Sequence, residues 1–190
     1  MPPDTHRKPV SSADMAQGER AIRRAGVLTL LALGLAVPLA WFGVPRFFEL
    51  PVALPERLAF AAQASAVVLA CVVVAVLIVS TVRRFSPQDN AGSAAGPPSP
   101  RLAIYAAFLQ NTLEQAVIAS GLYFALAALV GGAWLSLIPV GVVFFVVGRI
   151  LFLRGYAAGV KGRALGMALT MTPTVLGYVL VLPLLVWQWF

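Results

Sequence analysis

The chain has 190 residues, of which 60% are hydrophobic and 11% charged, and its mean hydropathy is +0.88. Soluble domains carry about a quarter of charged residues, so this composition excludes a soluble globular protein. A formal net charge of +7 would suggest a nucleic-acid partner in a soluble chain. In a membrane protein the positive charge instead indicates which segments lie on the cytoplasmic side, and we expect no nucleic-acid partner.

Catalytic chemistry based on cysteine or histidine has little support in this sequence. Cys71 is the only cysteine and His6 the only histidine. One cysteine cannot form a disulfide within the chain, and one histidine cannot build a His-type zinc site. No phosphate-binding loop, HExxH or GxSxG pattern is present.

The first part of the chain predicts a polar tail followed by a transmembrane helix. Residues 1–24 predict a basic cytoplasmic tail, and its last part could also form an interfacial helix. Residues 26–44 are apolar over a length that just spans a bilayer. A signal peptide after Arg23-Arg24 is the alternative, which Pro38 and the lack of a small-x-small cleavage site disfavour. Pro45, Pro51 and Pro55 predict a loop over residues 45–57.

Four further apolar segments follow, and each predicts a transmembrane helix. They cover residues 58–82, 102–130, 134–153 and 164–190. Residues 86–100, rich in Pro, Gly, Ser and Asn, predict a flexible connection, and Arg154 and Lys161 belong to a short basic turn before the last segment. The chain therefore divides into a tail (1–24), an additional helix with its loop (25–57) and a four-helix region (58–190).

The basic residues indicate the orientation in the membrane. If the N-terminus is cytoplasmic and the segments alternate, only Arg46 and Arg57 lie on the outer side. The positive-inside rule therefore favours a cytoplasmic N-terminus. We expect an inner-membrane protein of a bacterium, because arginine greatly outnumbers lysine and alanine is abundant, as in GC-rich genomes.

Glu114 is the only acid within a predicted span, and Arg149 the only base well within one. Ionisable groups at membrane depth are costly, so each is a functional hypothesis. Asn111 and Glu114 lie three residues apart on one helix face, with Gln110 and Gln115 beside them. The alternative is a polar strip that holds neighbouring helices together. We predict a Glu114–Arg149 ion pair, extended to a polar site in the cytoplasmic half of the bundle.

Arg149, Tyr156 and Arg163 recur every seven residues, so Arg149 and Tyr156 share a helix face if the fourth span continues through Gly155. For Arg163, as for its basic neighbours, an ordinary role at the lipid headgroups is the alternative. The last span also contains threonines that we predict to pack against neighbours rather than line a pocket: Thr170, Thr172 and Thr174.

Residues 58–190 resemble the MAPEG family, the membrane-associated proteins in eicosanoid and glutathione metabolism. The family pattern has a helix ending in paired arginines, a Pro-rich loop, a helix with Asn-x-x-Glu, and a helix ending Arg-x6-Tyr-x6-Arg. It can be followed in order through the chain, as Arg83-Arg84, Pro97-Pro98, Asn111-x-x-Glu114, Arg149, Tyr156 and Arg163.

This resemblance implies an all-α membrane protein, a four-helix bundle with one additional N-terminal transmembrane helix, assembled as a homotrimer. It implies glutathione as co-substrate at subunit interfaces that open to the cytoplasmic side. Arg83 or Arg84 resembles the arginine that activates the thiol in some members. The residues that match glutathione-contacting positions are Asn111, Glu114, Arg149, Tyr156 and Arg163.

Three departures from the family pattern leave two functions open, and the additional span over residues 26–44 is one of them. Ala107 stands where many family enzymes carry an arginine, and Phe152 where some carry a tyrosine. One function is a glutathione transferase or peroxidase acting on lipophilic electrophiles. The other is a non-catalytic protein that binds a membrane lipid or a partner. A transporter is less favoured, because the chain has no internal repeat.

Overall fold

A computed structural model describes residues 11–188, and over this range the chain is helical with no strand. The five long helices are α1 (Ser12–Phe47), α2 (Leu54–Arg84), α3 (Pro100–Leu129), α4 (Leu137–Gly155) and α5 (Gly159–Trp187). Two short 3-10 helices flank α4, at Gly132–Ser136 and Tyr156–Ala158. The predicted all-α fold is confirmed. The predictions for the first ten residues, which include His6, and for Trp189 and Phe190 concern residues outside the described range.

The described helices are long and apolar enough to cross a membrane. Four segments meet this criterion, because the last, Gly132–Trp187, contains both α4 and α5 over 56 residues. It folds back on itself, because α4 and α5 pack against each other after the turn at Tyr156–Ala158. Many large apolar side chains face outward, such as Leu31, 67% exposed, and Leu77, 60% exposed. Such a surface requires hydrocarbon around it, so the chain is an integral membrane protein.

Helix α1 is longer than the apolar segment that predicts it. It begins at Ser12, where the hydroxyl of Ser11 accepts a hydrogen bond from the Asp14 amide at 3.1 Å. It also continues past Pro45 to Phe47, because a proline in the last turn removes only one backbone hydrogen bond. The predicted loop over residues 45–57 is therefore wrong at both ends, since α2 already begins at Leu54 with Pro55 in its first turn.

The helices pack as two antiparallel pairs, α2 with α3 and α4 with α5, and α1 lies along α5. One buried cluster is formed by small and large apolar residues of all four bundle helices, among them Ala61, Leu122, Phe145 and Val181. A second, smaller cluster contains Ala75, Phe108 and Phe152. The second cluster lies beside the candidate site described below.

Glycines let α4 and α5 approach each other closely. A Cβ added at Gly155 would overlap the backbone of Gly162, and one added at Gly148 would lie 2.8 Å from the carbonyl oxygen of Gly166. Such distances leave no room for any side chain at these positions. This close approach brings Arg149 of α4 against Thr170 of α5.

Candidate functional site

Arg149 is buried between three helices, with 2% of its surface exposed. Its Nη1 donates a hydrogen bond to Oδ1 of Asn111 on α3 at 2.6 Å, and its Nη2 donates to the hydroxyl of Thr170 on α5. The guanidinium carbon also lies 4.6 Å from the ring centroid of Phe152. A planar guanidinium can make these contacts together, because its donors form a fork and its faces stack on aromatic rings.

The predicted ion pair between Glu114 and Arg149 is wrong within the described chain. Glu114 is exposed, and its Oε1 accepts a hydrogen bond from Gln110 Nε2 at 2.8 Å. Asn111 takes the predicted place of the carboxylate beside Arg149. Asn111 and Glu114 differ by about 60° in direction around the axis of α3, and only Asn111 is turned toward α4.

An aromatic and cationic stack continues from Arg149 toward the end of α4. Phe152 and Tyr156 meet edge to face, with ring centroids 5.4 Å apart. The Arg163 guanidinium then lies 5.0 Å from the centroid of the Tyr156 ring. Although α4 ends at Gly155, the following 3-10 turn keeps Tyr156 in line with Phe152. The seven-residue spacing thus places two arginines at the ends of one stack.

A cavity of about 510 Å³ lies beside this stack. Asn111, Glu114, Tyr156 and Arg163 line it, so the structure brings four of the seven predicted site residues together. Arg149 lies next to the cavity and is joined to it through its hydrogen bond to Asn111. The cavity therefore contains a carboxylate, an amide, a phenol and a guanidinium. Its other walls are partly apolar, with Ile22, Phe152, Val160 and Met167.

Arg83 and Arg84 lie elsewhere, at the C-terminal end of α2. Arg83 Nη2 donates to the hydroxyl of Ser93 at 2.6 Å, and the Arg84 guanidinium lies 5.8 Å from the ring centroid of Phe85. Neither residue lines the 510 Å³ cavity. Within one described chain, the predicted catalytic arginines are therefore not joined to the predicted glutathione-contacting residues.

The connection after α2 is fixed by a carboxylate rather than left fully flexible. Asp89 accepts hydrogen bonds from the hydroxyls of Ser86 and Ser99, both at 2.6 Å, and from the amide of Ser99 at 2.8 Å. The Ser99 hydroxyl also caps α3 by accepting from the amide of Leu102 at 3.2 Å. The hydrogen bonds from Ser86, and then those from Ser99, lower the pKa of Asp89 below its ordinary value.

Sequence reasoning missed several residues around the site, of which Ile22 and Thr170 are the most informative. Ile22 belongs to α1 and lines the cavity, but it lies in the basic segment predicted as a tail, where nothing in the sequence marks a single isoleucine as part of a site. Thr170, predicted to pack, is the second acceptor of Arg149. The threonines make the last span slightly polar, which was visible in the sequence. A threonine whose hydroxyl donates to a carbonyl of its own helix gives the same sequence pattern, so the contact of Thr170 with Arg149 could not be predicted.

Comparison with known proteins gives a family match that covers most of the four bundle helices. The MAPEG family model matches residues 58–183. The match begins four residues into α2, ends within α5 and includes all seven predicted site residues, whereas α1 lies outside it. No curated protein and no solved structure matches the chain significantly.

Proposed function

Because the chain belongs to the MAPEG family, we propose that it is a glutathione-dependent transferase or peroxidase that acts on lipophilic electrophiles from the bilayer. The observation that carries the proposal is the 510 Å³ cavity, in which Asn111, Glu114, Tyr156 and Arg163 converge. These four residues come from two helices and the turn between α4 and α5.

The polar groups of the cavity fit the chemistry of glutathione. This tripeptide carries two carboxylates, one ammonium group and a thiol. Arg163 suits a carboxylate, Glu114 suits the ammonium group, and Asn111 and Tyr156 suit the peptide groups between them. The apolar wall would accept the lipophilic part of a second substrate.

The proposed reaction uses the glutathione thiolate as nucleophile. In a transfer, its sulfur forms a bond to an electrophilic carbon while the leaving group departs with its electron pair. With a peroxide, the thiolate sulfur attacks one oxygen, the O–O bond breaks, and the other oxygen leaves with the electron pair and takes up a proton to give an alcohol. The sulfur of a second glutathione then attacks the resulting sulfenic acid, forming the disulfide and releasing water. A nearby guanidinium favours the thiolate, and Arg83 and Arg84 are the candidates for that role.

Arg83 and Arg84 can take part only if a neighbouring copy supplies them, because neither lines the cavity of its own chain. We therefore propose a homotrimer with glutathione at the subunit interfaces.

The distribution of basic residues supports an orientation in the membrane. The start of α1 and the turn before α5 lie at one end of the molecule, where Gln17 contacts Lys161. Their basic residues favour the cytoplasmic side of a bacterial inner membrane, where reduced glutathione is available.

Calorimetry of reduced glutathione binding to the purified, detergent-solubilised protein tests this function. We expect saturable binding that Glu114→Gln and Arg163→Gln each weaken roughly tenfold or more, since each removes a charge-assisted hydrogen bond. Arg154→Gln is the matched control, because Arg154 is exposed and does not line the cavity. Absence of binding at millimolar glutathione, in a folded trimer, would refute the proposal.

A non-catalytic role in binding a lipid or a partner is the second candidate. The observation that favours it is Ala107, which lines the cavity where many family enzymes carry an arginine. Ala107→Arg separates the two functions. If glutathione occupies the cavity, the added cation should raise its affinity by about tenfold. An unchanged lack of affinity in this variant would favour the non-catalytic role.

A further inference from the structure

A second cavity, which we call the α1–α5 cavity, lies between the N-terminal parts of α1 and α5. Its volume is about 430 Å³. Three cationic side chains from the two helices line it: Arg20 and Arg24 of α1 and Lys161 of α5. It shares only Ala164 with the lining of the candidate glutathione site. It also involves α1, which lies outside the family match.

The local sequence explains why the cations converge. Arg20 and Arg24 are four residues apart and therefore lie on one face of α1. Gly18 lets the two helices come together, since a Cβ added there would lie 3.4 Å from Cγ1 of Val160. Lys161 is held at the seam by donating a hydrogen bond to Oε1 of Gln17, a neutral group.

The lining is positive at one end and apolar at the other. No carboxylate lines it among residues 11–188, so no acidic side chain of that range neutralises the three cations within the cavity. Leu28 and Leu165 line its other end, four residues beyond Arg24 and Lys161 along their helices. Past the cavity, α1 continues with outward apolar residues such as Leu31, 67% exposed. The cavity thus opens onto the part of α1 that faces lipid.

We propose that the α1–α5 cavity binds an anionic phospholipid, with the phosphate on Arg20, Arg24 and Lys161 and an acyl chain along Leu28 and Leu165. Basic side chains next to a transmembrane segment attract anionic headgroups. The apolar end favours a lipid over free phosphate, which would gain nothing from two leucines. Because Ile22 lies between the two arginines in sequence and lines the candidate glutathione site, the bound lipid would also hold that wall in place.

Native mass spectrometry of the full chain tests this proposal with three probes: dioleoyl phosphatidylglycerol, dioleoyl phosphatidylethanolamine and inorganic phosphate. The test variant combines Arg20→Gln, Arg24→Gln and Lys161→Gln. The matched control combines Arg23→Gln, Arg46→Gln and Arg154→Gln, which remove the same charge from exposed positions outside the cavity. We expect phosphatidylglycerol to bind the native chain about tenfold more tightly than phosphatidylethanolamine. The test variant should lose up to about a hundredfold in phosphatidylglycerol affinity, and the control little.

Three results would overturn the proposal. Equal affinity for the two lipids would remove the anionic requirement. Equal loss in the test and control variants would mean that the protein attracts lipid through its overall charge and not through this cavity. Inorganic phosphate that binds the native chain as tightly as phosphatidylglycerol would identify a free anion as the ligand. If the triple variant does not fold, the single variants Lys161→Gln and Arg154→Gln are compared instead, and the same criteria apply.

Discussion

Arg149 illustrates how an apolar bundle accommodates a buried cation. The cost of removing a charge from water is partly offset when the donors and faces of the group find partners, although Nε of Arg149 has no hydrogen-bond partner among the described residues. Here Asn111 and Thr170 accept hydrogen bonds from two nitrogens, and the rings of Phe145 and Phe152 lie 5.7 Å and 4.6 Å from the guanidinium carbon. Both acceptors are neutral, so the positive charge is retained beside the cavity.

Replacing Arg149 by lysine tests this arrangement. A single ammonium group cannot reach Asn111 and Thr170 as the guanidinium fork does. We expect Arg149→Lys to lower the free energy of unfolding by about 1.5–3 kcal/mol, the range for a lost hydrogen bond to a charged group. Thermal unfolding in detergent measures the effect, and Arg154→Lys on the exposed end of α4 is the control. Equal losses in both variants would contradict the structural role.

Asp89 makes the stability of the connection between α2 and α3 depend on pH. Its pKa is lower in the folded chain than in an unfolded one, because Ser86 and Ser99 donate hydrogen bonds to the carboxylate. The ionised carboxylate therefore stabilises the fold above the unfolded pKa, and this stabilisation is lost as the pH falls through the folded pKa.

Comparison of thermal unfolding for the native chain and Asp89→Asn, over a pH series from neutral to acid, tests that dependence. The native chain should be more stable at neutral pH, and the difference should shrink toward zero at acid pH. Glu49→Gln, which removes an exposed carboxylate from the connection between α1 and α2, is the control. A stability difference between the two chains that stays constant across the pH series would show that ionisation of Asp89 does not cause it.

The site residues show which part of the chemistry sequence alone can predict. Asn111, Glu114, Tyr156 and Arg163 were identified by polarity at membrane depth, by spacing and by a family pattern, and all four line one cavity. The partner of Arg149 was not predictable in the same way. Spacing places Asn111 and Glu114 on one face of α3, but only the rotation of α3 against α4 decides which of them meets the arginine.

At the scale of helices, the contact between α4 and α5 depends on glycine. A methyl group at Gly166 would overlap the backbone nitrogen of Phe152. We expect Gly166→Ala to cost about 1–3 kcal/mol of stability, as overpacking does. Gly34→Ala is the matched control, because a Cβ at that position of α1 meets nothing within 4 Å and alanine favours the helix. Thermal unfolding of the two variants in detergent should separate them, and equal stability would contradict the close contact.

Hydrophobic length predicted the helices of the bundle well and the ends of α1 poorly. Residues 102–130, for example, were predicted as a span, and α3 covers Pro100–Leu129. Apolar length determines such segments because the bilayer core requires about 20 residues. The polar first turns of α1 have a different cause, a serine cap and contact with α5. Neither cause is visible in hydropathy.

For the whole molecule, the main structural question is where the additional helix packs. The middle of α1 is apolar on all sides in the sequence, so its hydropathy does not predict which helix it packs against. In the structure α1 runs parallel to α5. Gly18 lies near Val160 at one end, and Leu33 and Val37 line a cavity of about 240 Å³ together with Pro173 and Gly177 farther along. The buried residues of α1 (Gly18, Ala25, Thr29 and Leu33) recur at helical spacing and are mostly small, which allows a close approach on that side.

A pair of cysteines tests this packing in the membrane. A Cβ added at Gly18 would lie 3.8 Å from Cβ of Val160, a separation that suits a disulfide, for which about 3.5–4.5 Å is usual. We expect Gly18→Cys with Val160→Cys, in a Cys71→Ser background, to cross-link within one chain under mild oxidation in proteoliposomes. Non-reducing electrophoresis after maleimide labelling reports the loss of both thiols.

The matched control moves one cysteine along the same helix. Gly34→Cys with Val160→Cys places the thiols about 24 Å apart along α1, because 16 residues at about 1.5 Å each separate positions 18 and 34. This pair should remain reduced under the same conditions. Equal oxidation of both pairs would indicate that α1 slides freely past α5. Oxidation of the first pair only into dimers would indicate that α1 packs on a neighbouring copy, and that the α1–α5 cavity is formed between chains.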